Sequence, residues 1–158
     1  MRRFFILWAS VLLLLGGCAL KKYTLNEAKI IIFKTPQFRF ADTGYIRQNK
    51  DALRLELYSG GVPVKRFDIN TLICVDEGCM GKSRFNAEYL SSDYPDDFLL
   101  HVSRGVPIFE GMNLSKIPEG FEQRLHVNNA EIFYRVTDKE IYFKDNKNRI
   151  LIWIKNLP

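Results

Sequence analysis

The clearest structural signal in this chain is an alternation of apolar and polar residues close to its C-terminus. It covers residues 131–136, 140–144 and 149–155, which are separated by polar turns at residues 138–139 and 145–148. A period of two residues is typical of strands with one buried face, and short turns join antiparallel neighbours. The pattern therefore predicts an antiparallel meander. One face of it would carry Ile132, Tyr134, Val136, Ile141, Phe143, Ile150, Ile152 and Ile154, and the other Phe133, Tyr142 and Trp153.

A second group of strands is predicted earlier in the chain. Residues 38–46 begin it, and residues 52–58 alternate cleanly between apolar and polar positions. The apolar face of that segment consists of Leu53, Leu55 and Leu57. After a Ser-Gly-Gly turn, the apolar residues of segment 62–75 change parity, and we expect a β-bulge near Asn70 to reconcile them.

One segment after the predicted cleavage site has a helical pattern. Residues 93–105 have acidic residues at the start, apolar residues at helical spacing and Gly105 at the end. A sheet with a broad aliphatic face buries that face by curling toward a barrel or beneath a covering helix. We therefore expect a mainly β (α+β) fold: a curved antiparallel sheet or open half-barrel, with one or two short helices covering its mouth.

The N-terminal segment has the form of an export signal. Two arginines precede an apolar run at residues 4–15, which is shorter than the roughly 20 residues of a membrane-spanning helix. Residues 15–18 (Leu-Gly-Gly-Cys) have the form of a lipobox, which predicts cleavage after residue 17 and acyl chains such as palmitate on Cys18. Two or more chains would make the anchor effectively permanent. The alternative is an ordinary signal peptide that happens to contain a cysteine.

The remaining chain has the size and composition of one domain. Removing residues 1–17 leaves about 140 residues without a repeat or linker. We expect residues 18–36 to be a lipidated N-terminus and lead-in, and residues 37–158 to form the domain. The two arginines of the signal account for part of the formal charge of +5, which falls to +3 and is scattered along the chain. That distribution excludes a nucleic-acid footprint and is typical of a solvated face, although an anionic membrane or acidic partner stays open.

Two cysteines remain after Cys18. Cys74 and Cys79 enclose Val-Asp-Glu-Gly, which predicts a hairpin loop in which Gly78 supplies a positive φ. A disulfide is expected because the periplasm is oxidising. Free or redox-active thiols are the alternative, and a zinc site would need further ligands, from which His101 and His126 are distant in sequence. We expect no metal and no cofactor.

Four segments, in this order, resemble the LolA/LolB family of periplasmic lipoprotein carriers and receptors. With the lipobox, the chain is most similar to LolB, the outer-membrane lipoprotein receptor. The four segments are residues 38–46 with their glycine, residues 53–61 ending in a small-residue turn, residues 94–100 followed by Arg-Gly-Val-Pro at 104–107, and the closing strands at 132–154. The chain is shorter than the usual receptor, lacks one early hairpin, and adds Cys74 and Cys79.

The resemblance implies a binding protein without a cofactor, in which an apolar cavity holds acyl chains of a lipoprotein. Its partners would be the membrane and acylated lipoproteins or a periplasmic carrier. In lipoproteins of this kind an aspartate after the lipidated cysteine retains the protein at the inner membrane, so Ala19 predicts the outer membrane. The family also uses a loop with an exposed leucine, to which no residue is assigned here. The acyl-chain-binding residues would be Leu53, Leu55, Leu57, Phe98, Leu99, Ile132, Ile141, Phe143, Ile150 and Ile152.

Two other interpretations stay open. The same aliphatic residues would form an ordinary filled core in an envelope accessory protein, which would bind a partner through an edge strand or Trp153. Catalysis is not expected, because His101 falls in the predicted helix, His126 in a strand, and the acidic pair at 96–97 at a helix start. We therefore name no catalytic residue.

Overall fold

A computed structural model describes residues 23–76 and 78–158. These residues form eleven antiparallel strands and two short helices. The strands are β1 (Leu25–Lys34), β2 (Arg39–Gln48), β3 (Leu53–Ser59), β4 (Val62–Ile69), β5 (Ile73–Val75), β6 (Gly78–Met80), β7 (Leu114–Ile117), β8 (Gly120–Val127), β9 (Ala130–Thr137), β10 (Glu140–Asp145) and β11 (Ile150–Asn156). The helices are α1 (Lys82–Tyr89) and α2 (Phe98–Arg104), and a short 3-10 turn covers Phe109–Gly111.

All eleven strands belong to one open sheet, in the order β6-β5-β4-β3-β2-β1-β11-β10-β9-β8-β7. The prediction of a mainly β, antiparallel fold is confirmed. We call the face that packs against both helices the inner face, and the opposite one the outer face. The upper end of the sheet carries the β1–β2, β3–β4, β8–β9 and β10–β11 turns. Tyr23 and the C-terminus lie at the opposite end of the sheet, which we call the lower end.

The predicted alternations are confirmed in both halves of the sheet. Leu53, Leu55 and Leu57 are at most 2% exposed, as expected for the inner face of β3. The closing meander is β9, β10 and β11, with Phe143 opposite Ile152 in the ladder. The buried core is built from the sheet, the two helices and the segments next to them, so the described residues from Tyr23 onward contain a core of their own.

The segment expected to be a lead-in differs from that expectation. Residues 25–34 form β1, which pairs with β2 on one side and β11 on the other, at the centre of the sheet. Ile31 and Phe33 are buried on the inner face, while Ile30 and Ile32 are half-buried on the outer face. Because both faces are apolar, this strand has no alternation to detect. The predicted signal and Cys18, the predicted lipidation site, lie outside the described residues.

The expected bulge near Asn70 is wrong. The chain turns back there, because the Asn70 amide donates to the Leu72 carbonyl at 2.9 Å and the Asn70 side chain accepts from the Leu72 amide at 3.0 Å. Residues 73–75 therefore form a separate strand, β5, antiparallel to β4. The change of parity in the sequence marks a hairpin rather than an extra residue in one strand.

The predicted disulfide is present. Cys74 and Cys79 lie opposite each other in the β5–β6 hairpin with Cα atoms 3.9 Å apart, and their sulfurs are bonded. Among the described residues of this turn, Asp76 has a positive φ, at 52°, whereas Gly78, which was expected to supply it, begins β6. The Asp76 carboxylate accepts from Lys65 Nζ at 2.9 Å and from the Arg66 amide at 3.2 Å, and these bonds hold its pKa below the usual value. This side-chain anchoring allows an aspartate in the left-handed region.

Reduction of the Cys74–Cys79 bond is expected to lower the free energy of unfolding by about 2 kcal/mol, because it frees a short loop in the unfolded chain. Urea unfolding with and without a thiol reductant measures the change. The double variant Cys74→Ser/Cys79→Ser should match the reduced protein and should not respond to reductant. An unchanged urea midpoint on reduction would contradict the prediction.

The helices differ from the prediction in two ways. α2 begins at Phe98 and not near residue 93, and it ends at Gly105, whose φ of 66° provides the left-handed cap. α1 was not predicted, because its only buried residues are Phe85 and Asn86 and it has no apolar stripe. Within the described residues, neither helix is long and apolar enough to cross a membrane.

Candidate functional site: the helix-covered inner face

The ten residues predicted to bind acyl chains all lie on the inner face or on α2. Nine of them are no more than 3% exposed, and Ile141 is half-buried against the same cluster. The structure therefore brings together the residues that the sequence predicted to share a site. It also shows that they pack against one another and against the helices.

Helix α2 packs across the inner face through its first turn. The Phe98 ring lies 4.8 Å from the Phe143 ring of β10 and 4.1 Å from the Tyr94 ring just before the helix. Leu99 is 1% exposed. Phe98 and Leu99 thus lie on the helix that covers this part of the inner face, and their side chains fill the space beneath it.

A buried hydrogen-bond network ties the start of α2 to the β10–β11 turn. Tyr94 Oη donates to Asp145 Oδ2 at 2.6 Å, and Asp145 also accepts from the amide and the side chain of Asn148 at 2.9 and 2.8 Å. Asp145 is 1% exposed, so these donors replace the water that its carboxylate lost. Burial, and then the bond to Asp145, raise the pKa of Tyr94 far above its usual range.

Loss of stability at alkaline pH is expected from Tyr94 and Tyr134. Burial raises the pKa of Tyr134 as well, and its hydroxyl donates to the Val106 carbonyl at 3.0 Å. In the unfolded chain both hydroxyls ionise near pH 10, so stability is intact below about pH 10 and falls above it, by up to about 1.4 kcal/mol per pH unit for each tyrosine. Urea unfolding between about pH 8 and pH 11 measures this fall, and Tyr94→Phe should make it shallower. A constant midpoint up to pH 11 would contradict it.

A second buried network fixes the segment that follows α2. Gln123 of β8 is 0% exposed; its Nε2 donates to the carbonyls of Ile108 and Met112 at 2.9 and 2.7 Å, and its Oε1 accepts from the Ile108 amide at 2.9 Å. All its polar groups are paired within the protein. The segment around the 3-10 turn is therefore bound to the sheet and closes one side of the inner face.

An aromatic cleft opens between the upper end of the sheet and α1. Its volume is about 90 Å³. The centre of the Phe85 ring of α1 lies 6.2 Å from that of Phe67 of β4. The Phe67 ring centre in turn lies 5.6 Å from that of Phe33 of β1. Ligand pockets usually measure about 300–1,000 Å³, so this cleft holds only the end of an apolar chain unless α1 moves. The lining residues are Phe33, Thr35, Gln37, Phe38, Lys65, Phe67, Phe85 and Tyr89.

The sequence did not identify this cleft. Phe33 was placed in the lead-in, and α1, which supplies Phe85 and Tyr89, was not predicted. Phe38 and Phe67 were recognised as strand residues only. An alternation assigns a residue to a face, but it does not tell which strands meet at one end of the sheet.

The β3–β4 turn exposes apolar side chains at the upper end. Val62 and Val64 are 62% and 45% exposed, and the turn itself uses Gly60 and Gly61 at φ values of 57° and 81°. Exposure of two valines to water at a hairpin tip does not stabilise the fold, so this turn is a candidate contact surface.

The two histidines lie on different elements, His101 in α2 and His126 on the exposed side of β8. In the part of the chain that the structure describes, no group of three or more histidine, cysteine, aspartate or glutamate residues could hold a metal ion. The expectations of no catalysis, no metal and no cofactor stay predictions.

Comparison with known proteins adds no relative. No family model matches this chain, and no curated protein matches it significantly. The resemblance to the LolA/LolB family therefore stays a prediction from the sequence.

Proposed function

We propose that this protein is a LolB-like lipoprotein receptor. In this proposal Cys18 carries the lipid that anchors it in the outer membrane facing the periplasm, the sheet is a half-barrel, and acyl chains bind between its inner face and the helices. The single observation that carries the proposal is the inner face itself. It is apolar along nearly its whole width, and in the described residues two short helices and the segment after α2 cover it.

The described structure is then the closed form of the receptor. An acyl chain would enter at the aromatic cleft and displace α1 and α2, which polar contacts hold in place. Lys82 of α1 pairs with Asp97 before α2, and Arg104 at the end of α2 donates to the Asn49 carbonyl at 2.8 Å. Each buried methylene contributes about 0.8 kcal/mol, so a long acyl chain offsets the loss of these contacts.

Transfer from a carrier needs no nucleotide in this mechanism. A ligand moves to the receiving cavity when that cavity binds it more favourably than the donor does. The exposed apolar loop that the resemblance implies is assigned to the β3–β4 turn, where Val62 and Val64 take the place of the family's leucine.

The test is binding of a fluorescent fatty-acyl probe to residues 21–158, with native mass spectrometry to count bound probe. We expect one probe per chain, and at least about tenfold weaker binding by Phe38→Ala, which removes a ring from the cleft. Phe133→Ala is the matched control, because this half-buried ring lies on the outer face. Failure of a folded, disulfide-bonded domain to bind the probe would contradict the proposal.

A second candidate is an envelope accessory protein with a filled core. The observation in its favour is that the ten predicted acyl-binding residues already pack in the core, nine of them almost completely buried. Its partner would add a strand to an edge of the sheet, at β6 or β7. The same binding experiment separates the two functions, because a filled core that does not open leaves the probe free.

A further inference from the structure

A row of six side chains, four of them cationic, crosses the outer face of the sheet near its upper end. Strand pairing places each member directly opposite the next on the neighbouring strand. Lys34 and Lys144 alternate with the buried Phe33 and Phe143, so both project from the outer face. We call these residues the basic row: Arg39 of β2, Lys34 of β1, Leu151 of β11, Lys144 of β10, Phe133 of β9 and Arg124 of β8.

Three of the four cations in the row have no counter-charge among the residues that the structure describes. Within residues 23–76 and 78–158, no carboxylate lies within 4.0 Å of Lys34, Arg39 or Lys144, whereas Arg124 pairs with Glu122 at 3.6 Å. Lys34 and Arg39 stand directly opposite each other. Like charges in that position destabilise a sheet, and an anion bound between them removes the repulsion.

The shape of the row favours an extended anionic surface over a single ion. Neighbouring strands lie about 4.8 Å apart, so six positions span about 24 Å, much more than one phosphate group covers. Leu151 and Phe133 separate the cations, and the half-buried rings of Tyr142 and Trp153 lie beside the row, 5.6 Å apart. Aromatic rings and cations interleaved in this way are typical of the boundary between membrane and water.

The path of the chain toward Cys18 also points to this face. Tyr23 Oη lies 3.3 Å from Asp68 Oδ1, and the Arg54 guanidinium lies 5.3 Å from the centre of the Tyr23 ring. Arg54 and Asp68 alternate with buried residues of β3 and β4, so both lie on the outer face. The chain therefore reaches the sheet across the outer face.

The short distance in sequence between Cys18 and Tyr23 limits how the domain can sit. Four residues lie between them, so their Cα atoms are at most about 18 Å apart, whereas β1 runs about 30 Å from the lower end to the basic row. If the lower end of the sheet faced the membrane, the distance between the row and the membrane surface would be much greater than the Debye length of about 8–10 Å. A domain lying on its outer face brings both the lipid and the row to the surface.

We propose that the outer face of β2, β1, β11 and β10 lies on an anionic phospholipid surface, with lipid phosphates between Arg39, Lys34 and Lys144. The proposal rests on the lipid anchor that the proposed function assigns to Cys18. It does not depend on acyl binding at the inner face.

The test uses residues 21–158, in which Trp153 is the only tryptophan. Binding is measured by sedimentation with vesicles of phosphatidylcholine containing about one-quarter phosphatidylglycerol, and with phosphatidylcholine alone. Brominated lipid in the vesicles quenches tryptophan fluorescence at short range, so quenching of Trp153 reports contact through the outer face. The row variant is Lys34→Gln/Arg39→Gln/Lys144→Gln, and the control Lys50→Gln/Arg84→Gln/Lys116→Gln changes the net charge equally elsewhere.

We expect binding to the anionic vesicles with quenching of Trp153, and weak binding to neutral vesicles. Each cation at the surface is worth about fivefold, so the row variant should bind on the order of 100-fold more weakly, and the control within about threefold of the parent. Raising the salt from about 0.1 M to about 1 M should release the parent from the vesicles. The row variant stays folded, because it removes like-charge repulsion and no buried contact.

Each of these results would overturn the proposal: equal binding to both vesicle types, equal loss in the row and control variants, or binding without quenching of Trp153. Inorganic phosphate that raises the unfolding temperature through the same three residues, without vesicle binding, would assign the row to a free anion and overturn the membrane assignment. The fatty-acyl probe reports the inner face on the same protein. Loss of vesicle binding in a row variant that keeps probe binding therefore separates the two proposals.

Discussion

Gly120→Ala lowers the free energy of unfolding by about 4 kcal/mol or more, the largest single effect that we expect in this domain. Gly120 begins β8 with a φ of 155°, a backbone conformation that L-residues with a side chain rarely adopt. A Cβ there would overlap the Val136 carbonyl oxygen and would lie 3.1 Å from Thr137 Cα. Both are backbone atoms of the neighbouring strand, so relief requires β8 and β9 to separate. Urea unfolding of the variant, or its failure to accumulate folded, measures the effect.

Gly81→Ala is the control for this prediction. Gly81 precedes α1 at a φ of −63°, and no atom lies within 4 Å of the position that its Cβ would take. We expect its stability to stay within about 0.5 kcal/mol of the parent. Similar losses in the two variants would show that the approach of β9 to Gly120 is not what limits the substitution.

Phe98→Ala is expected to cost about 3–5 kcal/mol, because the ring is 0% exposed and its removal leaves a cavity under α2. The ring contacts Tyr94 and Phe143, so the first turn of the helix and β10 lose packing together. Thermal and urea unfolding measure the loss. Phe133→Ala, which removes a half-buried ring from the outer face, should cost clearly less.

The same variant separates the two candidate functions. A fatty-acyl probe at about 100 times its dissociation constant stabilises a receptor by about 2.7 kcal/mol, and we expect at least that recovery in Phe98→Ala, where the space under the lid is larger. An accessory protein with a filled core has no state that the probe selects. Stability of Phe98→Ala that does not change with added probe would therefore argue against the receptor.

The sequence predicted the parts of the fold that depend on local pattern. Leu53, Leu55 and Leu57 were assigned correctly because only one face of β3 is apolar. The Cys74–Cys79 hairpin followed from its loop length and the two cysteines. Gly105 was recognised as the end of α2 because glycine adopts the left-handed conformation without steric cost.

The features that the sequence did not predict depend on tertiary packing. β1 was missed because Ile30 and Ile32 make its outer face apolar as well. α1 was missed because a helix with Phe85 as its only large buried side chain has no amphipathic signal, and packing stabilises it. The aromatic cleft joins Phe33 to Phe85, 52 positions later in the sequence. The basic row joins Lys34 to Lys144 through β11, and only the strand register shows that juxtaposition.

The central place of β1, between β2 and β11, sets when the protein can finish folding. β1 is the first and β11 the last of the described strands, so β1 waits for the whole intervening chain before its second edge is paired. Until then the apolar segment Ile30–Phe33 offers an open strand edge, which is prone to aggregation. The β2–β6 and β7–β10 hairpins form from local contacts, but joining them closes a loop of more than 100 residues and is intrinsically slow. In the proposed periplasmic location, a holdase that occupies the free edge of β1 would protect the protein during this interval.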